Sequence, residues 1–200
     1  MLDSLLVLIA ATALLLGSPG PAPLALAASS AIFGTSRTVP FLLGIVTGLG
    51  LVIVGSAMGL SLLIEGTPVV KSALQIIGAM YILHIALKIA TAPIYSLKVD
   101  SKIQPSFMEG LILNLSNPKA YAAIFALFSQ FALPYESSIK SLVTTGLVCF
   151  VVAIVVDSAW VLIGSALRQL FAHPVYARPI RLLFAFLMLS AVALTFMSIA

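Results

Sequence analysis

Charge is the scarcest commodity in this chain. Ten Lys and Arg and six Asp and Glu make up 8% of 200 residues, where a soluble domain carries about 25%. With 62% hydrophobic residues and a mean hydropathy of +1.21, a soluble domain is excluded. The net charge of +4 is not a nucleic-acid signal, because the basic residues fall between apolar runs. Cysteine is nearly absent too. Cys149 stands alone, which excludes a disulfide framework and a dithiol relay. It lies in an apolar run and reads as a small core residue. The two histidines, His84 and His173, are far from each other and from Cys149, so neither a metal site nor a cofactor is expected. Period-two alternation is missing as well, which argues against a membrane β-barrel.

What remains is a series of apolar runs of about 20 residues, the signature of a polytopic α-helical membrane protein. The first span covers residues 5–33 and is interrupted by Ser18-Pro19-Gly20-Pro21-Ala22-Pro23. The start of this span resembles the apolar part of a signal peptide. It has an acid, Asp3, but no basic residue before it, and apolar sequence resumes after the prolines, so it reads as a span. Gly34 to Arg37 reads as a polar turn, and the second span as residues 40–64. Its glycine pairs Gly44/Gly48 and Gly55/Gly59 are four apart and form flat strips for a neighbouring helix. Those strips serve internal packing or a homodimer equally well. The third span covers residues 69–90, a linker residues 91–106, the fourth span 107–133, the fifth 139–167 and the sixth 180–199.

Residues 1–90 and 107–200 thus form two sets of three spans, joined by the linker 91–106 within one integral-membrane domain. The turns after spans one, three and five hold Arg37, Lys88, Lys98, Lys102, Arg168, Arg178 and Arg181. The other side holds Lys71 and Lys140. This bias places both termini outside the cytoplasm of a bacterial-type inner membrane.

The fourth span carries the run Asn114-Leu115-Ser116-Asn117-Pro118-Lys119. Proline deletes a backbone donor and clashes with the turn before it, so the helix should break there. Asn117 reads as an N-cap and Pro118 as the first residue of a new half-helix. Ser18-Pro19 matches this pair in the first span, and Val54-Gly55-Ser56-Ala57 matches Val156-Asp157-Ser158-Ala159. The fold expected is all-α, with six transmembrane helices in a 3+3 inverted repeat and spans one and four broken at mid-membrane. Paired breaks of this kind point to a midplane transport site. Two fresh helix starts facing one space would attract a carboxylate.

These residues resemble the lysine exporter superfamily. The likeness is carried by Ser18-Pro19-Gly20-Pro21, the spacing of Gly44, Gly48 and Gly59, and the run from Ile77 to Leu83. Gly110 with Asn114-Leu115-Ser116-Asn117-Pro118-Lys119-Ala120, Gln130-Phe131, and Asp157 with Trp160 complete it. The LysE/RhtB branch of that superfamily exports amino acids, and the resemblance implies coupling to the proton gradient. Ala22 and Pro23 stand where members often carry a polar residue, and Ser129 replaces the usual proline before Gln130-Phe131. Both differences fall near the expected substrate pocket.

Lys119 is the sharpest candidate, because an ammonium in mid-membrane is disfavoured by roughly 2.5–3.5 kcal/mol. It reads as the counter-charge for a substrate carboxylate, or else as an ion-pair partner of Asp157. Asp157 falls roughly 15 Å inside the cytoplasmic end of its span. It could hold a substrate ammonium, carry a proton, or satisfy packing alone. Asn114 and Asn117 satisfy backbone at the break, and Asn114 could also face substrate. Ser18, Pro19, Gly20, Pro21 and Pro118 shape the two half-sites, with Gly20 allowing close approach of main chain. Trp160 is a gate candidate or an ordinary core tryptophan. The leading expectation is a non-enzymatic exporter of a small amino acid by alternating access, its partners being that solute, protons and the bilayer. A metal-ion exporter of the same superfamily would need a ligand cluster, and only Asp157 offers itself. An intramembrane hydrolase would need a buried Ser/His pair or two buried acids. A scaffold subunit would not call for a lysine at the break.

Overall fold

Prolines and glycines decide where the helices of this chain start and stop. The computed structural model describes residues 1–59 and 105–167, with residues 69, 76, 80, 83, 87, 175, 178–180, 182–183, 185–187 and 189–190. The expected third and sixth spans and the linker lie largely outside the described residues. Among the described residues every regular element is an α-helix: α1 (Leu2–Gly17), α2 (Pro21–Phe33), α3 (Thr35–Ala57), α4 (Phe107–Leu115), α5 (Pro118–Gln130) and α6 (Ser138–Ala166).

α3 and α6 are each long and apolar enough to cross a membrane. α1 and α2 meet at 66°, α4 and α5 at 60°, each across a short break. At the first break Ser18 is extended (φ −62°, ψ 147°), as the residue before a proline prefers to be. The helix does not resume at Pro19, as expected from the sequence, but two residues later. Gly20 is the N-cap and Pro21 the first helical residue. The reason is the spacing of three prolines. A start at Pro19 would carry Pro23 into the helix interior, deleting a ladder bond. A start at Pro21 leaves Pro23 in the first turn, where its missing N–H has no partner to lose. At the second break the expected cap forms. The Asn117 side chain accepts from the Lys119 N–H at 3.2 Å, with Pro118 first in the helix.

α2 is buried along almost its whole length, because alanines at 22, 25, 27, 28 and 31 leave little for lipid or water to meet. Gly34, at φ 86°, turns the chain directly into α3, a backbone angle that side chains resist. α3 therefore begins at Thr35, five residues before Pro40, and residues read as a turn are helical. It ends at Ala57, and Gly59 (φ 83°) lies beyond it, with no described residue within 4 Å of an added Cβ. The Gly44/Gly48 strip is a packing strip. A methyl at Gly44 would run into the Phe107 carbonyl, and one at Gly110 into the Phe41 carbonyl, so α3 and α4 touch backbone to backbone. Gly164 on α6 meets the Ala27 backbone of α2 in the same way.

Gly50 lies against Phe150 and Gly146 against Ile53, so α6 runs antiparallel to α3. The buried face of α6 is Thr145, Cys149, Ala153, Asp157, Val161 and Gly164. This spacing of three and four residues turns Asp157 inward, with the small residues. One core gathers α2, α3 and α4 around Leu26, Phe41, Ile45 and Leu113. A second gathers α1, α3, α5 and α6 around Leu8, Val52, Ile124 and Cys149.

Candidate functional site

The two breaks converge. A cavity of about 30 Å³ is lined by Leu16 of α1, Ala22 and Pro23 of α2, Leu49 of α3, and Asn114 of α4. Asn117, Lys119 and Ala120 from the second break, with Ala153 and Asp157 of α6, complete it. All six helices reach it. Its volume suits about one water molecule.

A break in a helix strands backbone groups that must find partners. At the end of α1, the Leu14 carbonyl accepts from the Ser18 N–H at 3.1 Å. The Leu15 carbonyl accepts from Ser18 Oγ at 3.2 Å. The Gly17 carbonyl accepts from the Trp160 indole N–H at 3.0 Å. The Ser18 carbonyl accepts from Lys119 Nζ at 2.5 Å. Lys119 therefore ties the second break to the first, with its ammonium at the electronegative end of α1. Its stem runs along Gly20, where an added Cβ would stand 3.0 Å from both Cδ and Nζ. At the end of α4, the Tyr121 hydroxyl donates to the Leu115 carbonyl at 3.0 Å.

The donors at the two helix starts are unequal. In α5 the Lys119 N–H goes to the Asn117 side chain and the Ala120 N–H to the Asn117 carbonyl. In α2 Pro21 and Pro23 have no N–H, and the Leu24 N–H is bonded to the Gly20 carbonyl. That leaves the Ala22 N–H, on a residue that lines the cavity, with no acceptor among the described residues. The sequence led us to expect two open helix ends; among the described residues only the α2 end has open donors, the Gly20 and Ala22 N–H groups.

Asp157 is 7% exposed and makes no hydrogen bond with any described residue. It and Lys119 act on each other electrostatically across the cavity without contact as an ion pair. Asn114 is 3% exposed, and its Nδ2 has no partner among the described residues. A buried donor left so costs about 1–3 kcal/mol.

Of the expected site residues, Asn114, Asn117, Lys119 and Asp157 come together around the cavity. Gly20 sits against the Lys119 stem, Pro21 and Pro118 open the two helices, and Trp160 ties α6 to the first break. Ser18 and Pro19 are exposed and serve the break through the backbone and cap. Sequence reasoning placed Ala22 and Pro23 near the pocket but missed Tyr121 and the walls Leu16, Leu49, Ala120 and Ala153 as site residues. The four-residue spacing of Ala153 from Asp157 was a usable signal. The others are ordinary apolar residues until the fold is known.

Apolar helices and two bent pairs fit a multi-pass membrane protein, with a charged cavity between the bends. The chain belongs to the LysE type translocator family, whose model matches residues 13–198. It is 25% identical to the homoserine/homoserine lactone efflux protein of Salmonella typhimurium over 161 residues, 78% of each chain. It is 25% identical to the cysteine/O-acetylserine efflux protein of Salmonella paratyphi A over 177 residues, 86% of each chain. No solved structure matches the chain significantly.

Proposed function

We propose that this protein exports a small amino acid or a derivative of one across the bacterial inner membrane by alternating access. The observation that carries this reading is the single cavity shared by Lys119, Asp157 and the first turn of α2. A zwitterion needs a cation and donors at one end and an anion at the other. The Lys119 ammonium and the Ala22 N–H receive the carboxylate, and Asp157 receives the ammonium. Relatives named as amino-acid efflux proteins support the solute class.

Depth supports a midplane position. Leu49 lies eight residues before the end of α3, and Asp157 nine before the end of the antiparallel α6. At 1.5 Å per residue the cavity is about 12–14 Å from opposite membrane faces, near the middle of a core about 30 Å thick. A cavity that admits one water is closed to an amino acid, so the two bent pairs part to load it. The breaks belong to spans one and four of two inverted three-span repeats, with both termini outside the cytoplasm. Asp157 also carries the coupling proton, and Trp160 holds the first break in register with it.

The test is efflux from cells expressing the protein, measured as extracellular against intracellular amino acids. Lys119→Ala and Asp157→Asn should each abolish the gain in export at equal abundance. Intact export in both variants overturns the reading.

A further inference from the structure

Lys119 and Asp157 complement the carboxylate and ammonium that all amino acids share, so they do not tell one amino acid from another. Selection among side chains has to come from the rest of the wall. Among the described residues that wall holds two more polar side chains, and Asn117 uses its oxygen to cap α5. Asn114 is the other, almost fully buried with an unpartnered amide nitrogen. Its neighbours in the wall, Ala22, Pro23, Ala120 and Ala153, are short and offer no competing polar side chain. The close packing of α3 fixes where it stands, since a Cβ at Gly48 would be 3.0 Å from Asn114 Cβ.

We infer that Asn114 reads the substrate side chain, donating a hydrogen bond to an oxygen that a short amino acid carries beyond its β carbon. This rests on the amino-acid reading above and narrows it to side chains that carry an oxygen acceptor. A buried amide that binds such an oxygen disfavours the apolar isostere, which leaves the donor unpaired. A hydrophobic wall at the same place could not discriminate so strongly.

The probes are L-homoserine and its isostere L-norvaline, exported side by side from preloaded cells. The readout is the ratio of their rates. The unchanged protein should favour homoserine by at least about tenfold. Asn114→Leu should bring the ratio to near one, while Asn114→Ser, which keeps a donor, should retain part of the preference. A ratio that Asn114→Leu leaves unaltered overturns the inference and spares the amino-acid reading. Loss of both substrates in both variants at equal abundance makes Asn114 structural and also overturns it. Export of neither probe by the unchanged protein, nor of any other amino acid, removes the amino-acid reading and this inference with it.

Discussion

Replacing Lys119 with methionine separates what the lysine does for the fold from what it does for transport. Two terms oppose each other in stability. An ammonium at membrane depth is disfavoured by roughly 2.5–3.5 kcal/mol, and methionine relieves that. The charged hydrogen bond from Nζ to the Ser18 carbonyl is lost, at a cost of about 1.5–3 kcal/mol. The terms nearly cancel, so the net change should stay within about 2 kcal/mol. Methionine also keeps the long stem against Gly20. Transport has no such compensation. Taking one partner from a buried charge pair costs about 2–5 kcal/mol, or about 30-fold to 4,000-fold in rate. The assay is initial efflux of L-homoserine, with membrane abundance and thermal melting in detergent measured on the same preparations. Normal abundance with efflux lost fits the account. Unchanged efflux at normal abundance would refute it, leaving Lys119 as a structural tie between the breaks. Failure to accumulate would show that the stability argument is wrong.

Other expectations follow from single contacts. Gly20→Ala puts a methyl 3.0 Å from Lys119 Cδ and Nζ, so the protein should accumulate while efflux drops by about tenfold, roughly 1.4 kcal/mol. Gly110→Leu drives a side chain into the Phe41 carbonyl and should lower membrane abundance severely on an immunoblot, because α4 has no room to retreat. Trp160→Phe removes the bond to the Gly17 carbonyl and should destabilise by about 1 kcal/mol, read as a lower melting temperature. Because Trp160 is the sole tryptophan and lies one turn from Asp157, its fluorescence should change when a transported amino acid is added to purified protein.

Much of the site was legible because it is written in local rules. Asn117-Pro118 is a cap followed by the residue best suited to begin a helix, and no distant contact is needed to read it. The Gly44/Gly48 strip was legible for a similar reason, since small residues four apart mark a helix that another can touch. Ser18-Pro19 misled by two residues because three prolines compete for one position. Only the fate of Pro23 in each register decides between them. Pro40 misled in the opposite sense, because Gly34 has already turned the chain and α3 is under way before the proline arrives. What could not be read was pairing across distance. Neither the Ser18 carbonyl as the acceptor for Lys119, nor Tyr121 closing the end of α4, nor Leu16 and Leu49 in the wall has a spacing that announces it.

The central claim is that the space between the two breaks is where an amino acid binds, and an experimental structure with L-homoserine bound tests it most directly. The account predicts the carboxylate within about 3 Å of Lys119 Nζ, the ammonium facing Asp157, and Lys119 released from the Ser18 carbonyl. A molecule bound elsewhere, with Lys119 still on Ser18 and the cavity closed, would contradict it.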